Sequence, residues 1–354
     1  MALSELEQRL FTGLNEVSQQ ALKEGWALTK QAFGAADPSE QDRLTQEAEA
    51  AYKLPQDFVE DAYRSGQFSD KLALSVEFGK ALDLEAVRVD INVFDLYRRV
   101  GRLEEARELG ELTLKAALEL DELALVQRAG NFLTLVQAAE AYQLIDQGKL
   151  PEALAKYRER EVTFKQIGLE RAEGKNAVML YLNQAANHLD IVDLSVEMGM
   201  PVAGLDKELA AAADSVGKAQ PLIAGLEPQD RANWQANAHY DRGKIDFYRG
   251  DFDSAIGEYT QALETSRQGA DYNLQAAFIE LSLAHAFGHA ARARSQVNPD
   301  SSSASFSHTL SSGDVNAARL HLQPVEVYMQ KNGFGIYQRR ADILLKEVKS
   351  LLPQ

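Results

Sequence analysis

The chain has 354 residues, 45% of them hydrophobic, a formal net charge of −16 at pH 7 and no cysteine. That is enough apolar chain to bury a sizeable core in about two or three domains, and the missing cysteine excludes disulfides, thiolate metal sites and thiol catalysis. The acidic balance, with a pI near 4.9, argues against nucleic acid and anionic membrane surfaces as partners, because both present negative charge.

Low proline and abundant Ala, Leu, Glu and Gln favour helix throughout. No window alternates Val, Ile, Thr and aromatics as a sheet strand would. The N-terminal stretch MALSELEQRLFTGLNEV lacks a basic start and a continuous apolar run, so it reads as an amphipathic helix and not a signal peptide. No run of about 18 apolar residues is present, so no membrane span is expected. A soluble cytoplasmic protein is the default.

The first helix is expected from Ser4 to Phe33, with Leu6, Leu10, Leu14 and Val17 on one stripe. GAADPSEQ breaks it, and Pro38 suits the first turn of a second helix reaching about Tyr52. Pro55 is expected to open a shorter helix ending near Gly66. Further on, YRGDFDSAIGEYTQALE (248–264) places Gly250, Phe252, Ala255, Tyr259 and Ala262 in a telling order. Gly250 fits a left-handed corner between two helices. Ala255 allows close approach of the axes, while Phe252 and Tyr259 fill the space beside the corner and one turn on.

The pattern recurs. Gly66 is followed by Phe68, though Lys71 stands where the alanine belongs. Gly101 is followed by Leu103, Ala106 and Gly110; Gly148 by Leu150, Ala153 and Tyr157; Gly313 by Val315, Ala318 and Leu322. A further turn is expected in MGMPVAG (198–204), between long helices at Arg171–Met198 and Asp206–Leu226. Repetition of this kind points to stacked helix pairs.

Gly243, Gly250, Phe252, Ala255, Tyr259 and Ala262 together resemble the tetratricopeptide repeat family, and the other copies match about half of that pattern. The family's tryptophan and closing proline are absent from the best copy. The spacings, 35 from Gly66 to Gly101, 47 on to Gly148 and 102 on to Gly250, exceed the usual period of about 34. Elongated repeats of this sort look like those of bacterial peptide-sensing regulators of the Rap, PlcR and arbitrium kind. The resemblance implies a right-handed superhelical solenoid of antiparallel helix pairs. The expected organisation is an N-terminal helical segment at 1–54, repeats at 55–331 and a C-terminal capping helix within 332–354. The Ser-rich stretch 295–313 reads as a flexible loop, either a lid or an inert insertion.

In that family the first helix of each pair faces the concave groove. Counting back from the corner glycines, the resemblance places Asn237, Tyr240, Asp241, Lys244 and Tyr248 there, with Arg88, Asn92, Asp95, Arg98 and Arg99, and Tyr142 with Asp146. Asn176, Asn183 and Asn187 share one helical face, and their amides suit either a peptide backbone or bonding between helices. Arg88, Arg98 and Arg99 suit either a ligand carboxylate or ion pairs with Asp95, Glu104 and Glu105. The family's two-lysine, two-asparagine, arginine clamp cannot be assembled.

His285 and His289 in HAFGHA have metal-capable spacing. No HExxH motif or acidic ligand set accompanies them, so core or surface histidines are expected. No phosphate-binding loop or Ser-His-Asp arrangement is present. The reading is therefore a non-enzymatic protein- or peptide-binding module, with no cofactor, no metal and no catalytic residues. It would act as a peptide-responsive regulator through a protein partner. The alternative is a constitutive scaffold that self-associates as a homo-oligomer through its outer faces or terminal helices.

Overall fold

The computed structural model describes residues 5–35, 37–64, 76–267, 274–297, 304–332 and 338–352. Among them the secondary structure is entirely helical, with thirteen α-helices and two short 3-10 turns. No helix among them is long and apolar enough to cross a membrane. The chain divides into two compact units, residues 1–140 with 162–170, and residues 141–161 with 171–354.

The first unit begins with α1 (Glu5–Gly34) and α2 (Pro38–Arg64), packed as an antiparallel pair. Pro55 does not start a new helix. It lies inside α2, which runs on to Arg64. A proline in a helix interior costs about 3 kcal/mol, but buried residues on both sides of it, Ala51 and Tyr52 before and Ala62 after, hold α2 to its neighbours. Next come α3 (Val76–Arg99) and α4 (Leu103–Glu119). Tyr52, Val89 and Leu96 form the core where α1, α2 and α3 meet. The corner at Gly66, with Phe68 and Lys71, lies outside the described residues.

The unit boundary falls within α5 (Leu123–Asp146) and close to the end of α6 (Leu150–Gln166). The second unit continues with α7 (Gly174–Glu197), α8 (Asp206–Ala224), α9 (Pro228–Tyr248), α10 (Phe252–Arg267), α11 (Leu274–Val297), α12 (Ala304–Asn332) and α13 (Gln338–Leu351). Its apolar clusters are shared by successive helices. One joins α7, α8 and α9, the next joins α10 and α11 with Tyr240 and Phe247 of α9, and the last joins α11, α12 and α13. This is the packing of consecutive helix pairs, in which each pair hides its apolar face against the next.

Four corners are built alike. At the end of α9, Gly250 takes φ +79°. Its N–H donates to Phe247 O at 3.0 Å, and the next N–H, from Asp251, donates to Asp246 O at 3.0 Å. This is a Schellman cap, with the glycine in the left-handed region that other residues enter at a cost. Gly101 after α3, Gly148 after α5 and Gly199 after α7 repeat both bonds and the positive φ. Five residues past three of these corners, Ala106, Ala153 and Ala255 are fully buried. Seven residues before the Gly250 corner, Gly243 faces the Tyr259 ring so closely that a Cβ would lie 2.5 Å from it.

Gly313 is not a fifth corner. It lies inside α12, which starts at Ala304, so 304–313 is helix where a loop was expected. The run SSSASFSHTLSS contains neither glycine nor proline, so no backbone restriction prevents helix there. Residues 295–297 of that serine-rich stretch are likewise helix, as the end of α11, and residues 298–303 lie outside the described residues.

Candidate functional site

Within the second unit the helices enclose a cavity of about 720 Å³. Its walls come mainly from the first helix of each pair. From α7 come Asp190, Asp193 and Glu197; from α9 Tyr240, Lys244, Phe247 and Tyr248; from α11 Ser282, His285, His289 and Arg292. Apart from the adjacent Phe247 and Tyr248, each set recurs at steps of three or four residues, so one helix face supplies most of it. The end of α5 adds Tyr142 and Asp146, and α13 adds Ile343, Leu344, Glu347 and Leu351.

α13 packs on the last helix pair, α11 and α12. Its amphipathic face packs on α11 and closes part of the cavity. Gly288 makes the seat, since a Cβ there would come within 3.0 Å of Leu351 Cδ1.

Of the residues expected to face a ligand, Tyr142, Asp146, Tyr240, Lys244 and Tyr248 line this cavity. Lys244 Nζ donates to Asp193 Oδ2 at 2.7 Å, and the Tyr248 hydroxyl donates to Asp193 Oδ1. The Tyr240 ring leans on Tyr259 with centroids 5.7 Å apart. Asn237 lies on the same helix and accepts a bond from Gln275 Nε2 at 2.7 Å, while Asp241 is buried.

The asparagines of α7 do not form a row into the cavity. Asn176 is exposed and Asn183 half-buried. Asn187 is fully buried, and its Nδ2 donates to Tyr157 O at 3.1 Å. Its amide therefore ties α7 to α6.

Arg88, Asn92, Asp95, Arg98 and Arg99 belong to the first unit and bind one another. Asp95 is buried and accepts from Arg98 Nη2 at 2.6 Å and Arg99 Nε at 2.8 Å. The Arg99 guanidinium also lies 4.8 Å from the Trp26 ring centre. Arg88 pairs with Glu85. Asn92 donates to Arg88 O at 2.6 Å and accepts from Arg128 at 3.2 Å.

Asp193, Glu197, His285, His289 and Glu347 were not among the residues singled out for the groove. The same count made from Gly199 would have given the first two. Asp193 and Glu197 stand six and two residues before Gly199, the offsets of Lys244 and Tyr248 from Gly250 and of Tyr142 and Asp146 from Gly148. The α11 residues gave no such signal, because α11 is not followed by a glycine corner among the described residues.

Burial, reinforced by neighbouring His289, pushes the His285 imidazole down to about 3, with Asp193 pulling the other way. His289 is lowered by burial and by Arg292. Both rings are neutral near pH 7. Glu347 is raised, first by burial and then by Glu197 and Asp193. Titratable groups with shifted affinities converge on this one cavity, which makes it the candidate functional site. A second polar cluster, Glu161, His188 and Glu208, lies apart from this cavity. There Arg158 reaches both carboxylates, at 3.1 and 2.6 Å, and His188 Nδ1 lies 2.7 Å from Glu208. The His188 hydrogen bond, helped by Arg158, holds Glu208 down to about 2.

No family model matches the chain, and no curated protein is similar to it in sequence. The fold and cavity thus define its class: an all-helical protein of consecutive helix pairs with a cavity in its second unit.

Proposed function

We propose that the protein is a non-enzymatic binding module whose cavity takes a short peptide or a segment of a protein partner. The observation that supports this is the composition of the cavity walls. Tyr142, Tyr240, Phe247 and Tyr248 offer aromatic faces, and Asp193, Lys244 and Arg292 offer charges of both signs. A volume of about 720 Å³ falls in the range of ligand sites, commonly about 300–1,000 Å³. Peptides carry apolar side chains, charged termini and backbone amides, which such a wall can match. The module would be a tetratricopeptide-like, right-handed solenoid, and a regulatory output would require that the ligand prefer one of two shapes.

The test is selection from a random peptide library on the full chain in the presence of a chelator. A defined sequence motif is the expected result, lost when Ser282→Trp fills the cavity and weakened at least tenfold by Tyr248→Ala. No enrichment over the Ser282→Trp protein would overturn the reading.

A second reading, self-association as a scaffold, is favoured by one feature. Leu320 and Val327, seven residues apart on one face of α12, are 65% and 53% exposed. A stable oligomer dissolved by Leu320→Lys would support it.

A further inference from the structure

We propose that the cavity of the second unit recognises an organic cation; with the chain read as a peptide-binding module, that cation is an arginine or lysine side chain of the bound peptide. Three features of the wall favour positive charge. The first is its balance of charges. Five carboxylates line it, from Asp146, Asp190, Asp193, Glu197 and Glu347, against two bases, Lys244 and Arg292. That excess is steeper than the 53 acids to 37 bases of the whole chain. His285 and His289 add no positive charge near pH 7, because burial keeps them neutral. Pairing accounts for only part of the excess. Lys244 Nζ lies 2.7 Å from Asp193, and Arg160 Nη1 lies 3.9 Å from Asp190. Beyond those pairs, Asp146, Glu197 and Glu347 stand against Arg292, and all four are exposed where the cavity meets solvent.

The second feature is backbone charge. Asp146, Glu197 and Tyr248 are the last residues of α5, α7 and α9, and all three line the cavity. Three helix C-termini therefore open onto one space, each equivalent to about half a negative elementary charge. Basic side chains are favoured at such ends. The last turns of these three helices contain none, and two of the helices end in an acid. The third feature is aromatic. Tyr142, Phe247, Tyr248 and Phe252 border the same space. The faces of such rings attract ammonium and guanidinium groups, and a planar guanidinium also stacks on them.

An anionic ligand would meet like charge from the carboxylates and from the helix ends. A neutral apolar ligand would use the rings alone and would leave the acids without a role. Ordinary solvated surface carboxylates, expected in a chain of net charge −16, explain neither the rings nor three helix ends without a base. A concave wall of one sign concentrates its field inside the cavity, and a cation lying against the rings satisfies all three features together.

The experiment runs parallel selections on the full chain from peptide libraries whose central residue is fixed as Arg, Lys, Gln or Glu. The Arg or Lys library should enrich at least about 10-fold over the Gln and Glu libraries. Glu197→Gln combined with Glu347→Gln should weaken the selected peptide at least about 10-fold; both positions are exposed, so the fold is not endangered. Glu104→Gln combined with Glu108→Gln removes the same charge from exposed positions of α4 and should leave binding unchanged. Calorimetric titration with spermidine is the second arm. Equal enrichment of the Gln or Glu libraries, or equal weakening by the two double variants, would overturn the cation site and leave the binding-module reading standing. Spermidine binding that the Glu197 and Glu347 changes weaken, with no peptide selected, would uphold the cation site and overturn the peptide reading. Binding of neither would overturn both.

Discussion

The end of α3 and the end of α9 occupy the same place in the repeating pattern, yet their polar residues do different things. Six and two residues before their corner glycines stand Asp95 and Arg99 in one, Lys244 and Tyr248 in the other. On α3 the acid and its arginines close on each other, and Asp95 is 1% exposed. On α9 the lysine and the tyrosine reach across to Asp193 of α7, and all three side chains line a cavity. Position within a helix pair therefore selects which face a residue occupies. Whether that face is open depends on where the opposite charge lies. When it is three or four residues away on the same helix, the pair satisfies itself. When it is on a neighbouring helix, the bond spans a gap and the side chains border the cavity.

The largest effect that tests this contrast is at Asp95. Asp95→Ala leaves Arg98 and Arg99 partly buried without their carboxylate, a situation that costs about 3–5 kcal/mol. Chemical denaturation should show a loss of at least about 3 kcal/mol. Asp193→Ala should cost under about 2 kcal/mol, because Lys244, the charge it strands, borders the cavity and can turn its ammonium into it, and should instead alter peptide selection. Equal losses at both positions would erase the distinction between a self-paired helix face and a cavity wall.

A smaller effect sharpens the packing side of the comparison. Gly243→Ala would press a methyl into the Tyr259 ring, and overpacking of this kind costs about 1–3 kcal/mol. Gly257→Ala on α10 meets nothing within 4 Å, so it should be neutral or slightly stabilising by helix propensity. Thermal unfolding of the two variants separates the outcomes. If both behaved alike, close approach would not be the reason for Gly243.

Much of the fold was legible because corners and crossings are local chemistry. Gly101, Gly148 and Gly250 had to adopt a left-handed conformation, and the alanines five residues later had to be small. Both requirements appear in the order of residues. Pro55 misled because a proline's local cost was outweighed by buried residues on either side, which is a tertiary effect. Gly313 misled because glycine is tolerated in a helix when nothing requires a corner. The cavity was legible only in part. Lys244, Tyr248 and Tyr142 followed from the register, and the same offsets from Gly199 would have given Asp193 and Glu197. His285 and His289 meet by their spacing on α11, but Glu347 reaches His285 only because α13 folds back onto α11, and no spacing in the chain encodes that contact. Asn187 carried the opposite risk, since an amide that suits a ligand suits a backbone carbonyl equally well.

The finest distinction is between carboxylates held by partners and carboxylates merely buried, and it appears in pH dependence. Glu208, bonded by His188 and Arg158, binds its proton at about 2 in the folded chain instead of 4.5. Its contribution is fully present above about pH 4.5 and is lost as pH falls toward 2. Asp90 is the reverse case. Burial alone lifts it from 3.8 to about 6, so the folded chain binds that proton more tightly than the unfolded one. Stability from Asp90 is present below about pH 3.8 and is lost as pH rises through 6. Glu208→Gln should therefore lower stability at pH 7 and flatten its acid limb. Asp90→Asn should raise stability at pH 7 and leave it nearly unchanged at pH 3.5. Denaturant midpoints measured for both variants across pH 3–8 check the two signs. A fall at pH 7 for Asp90→Asn would mean that Asp90 has a partner in the folded chain and belongs with Glu208 and Asp95.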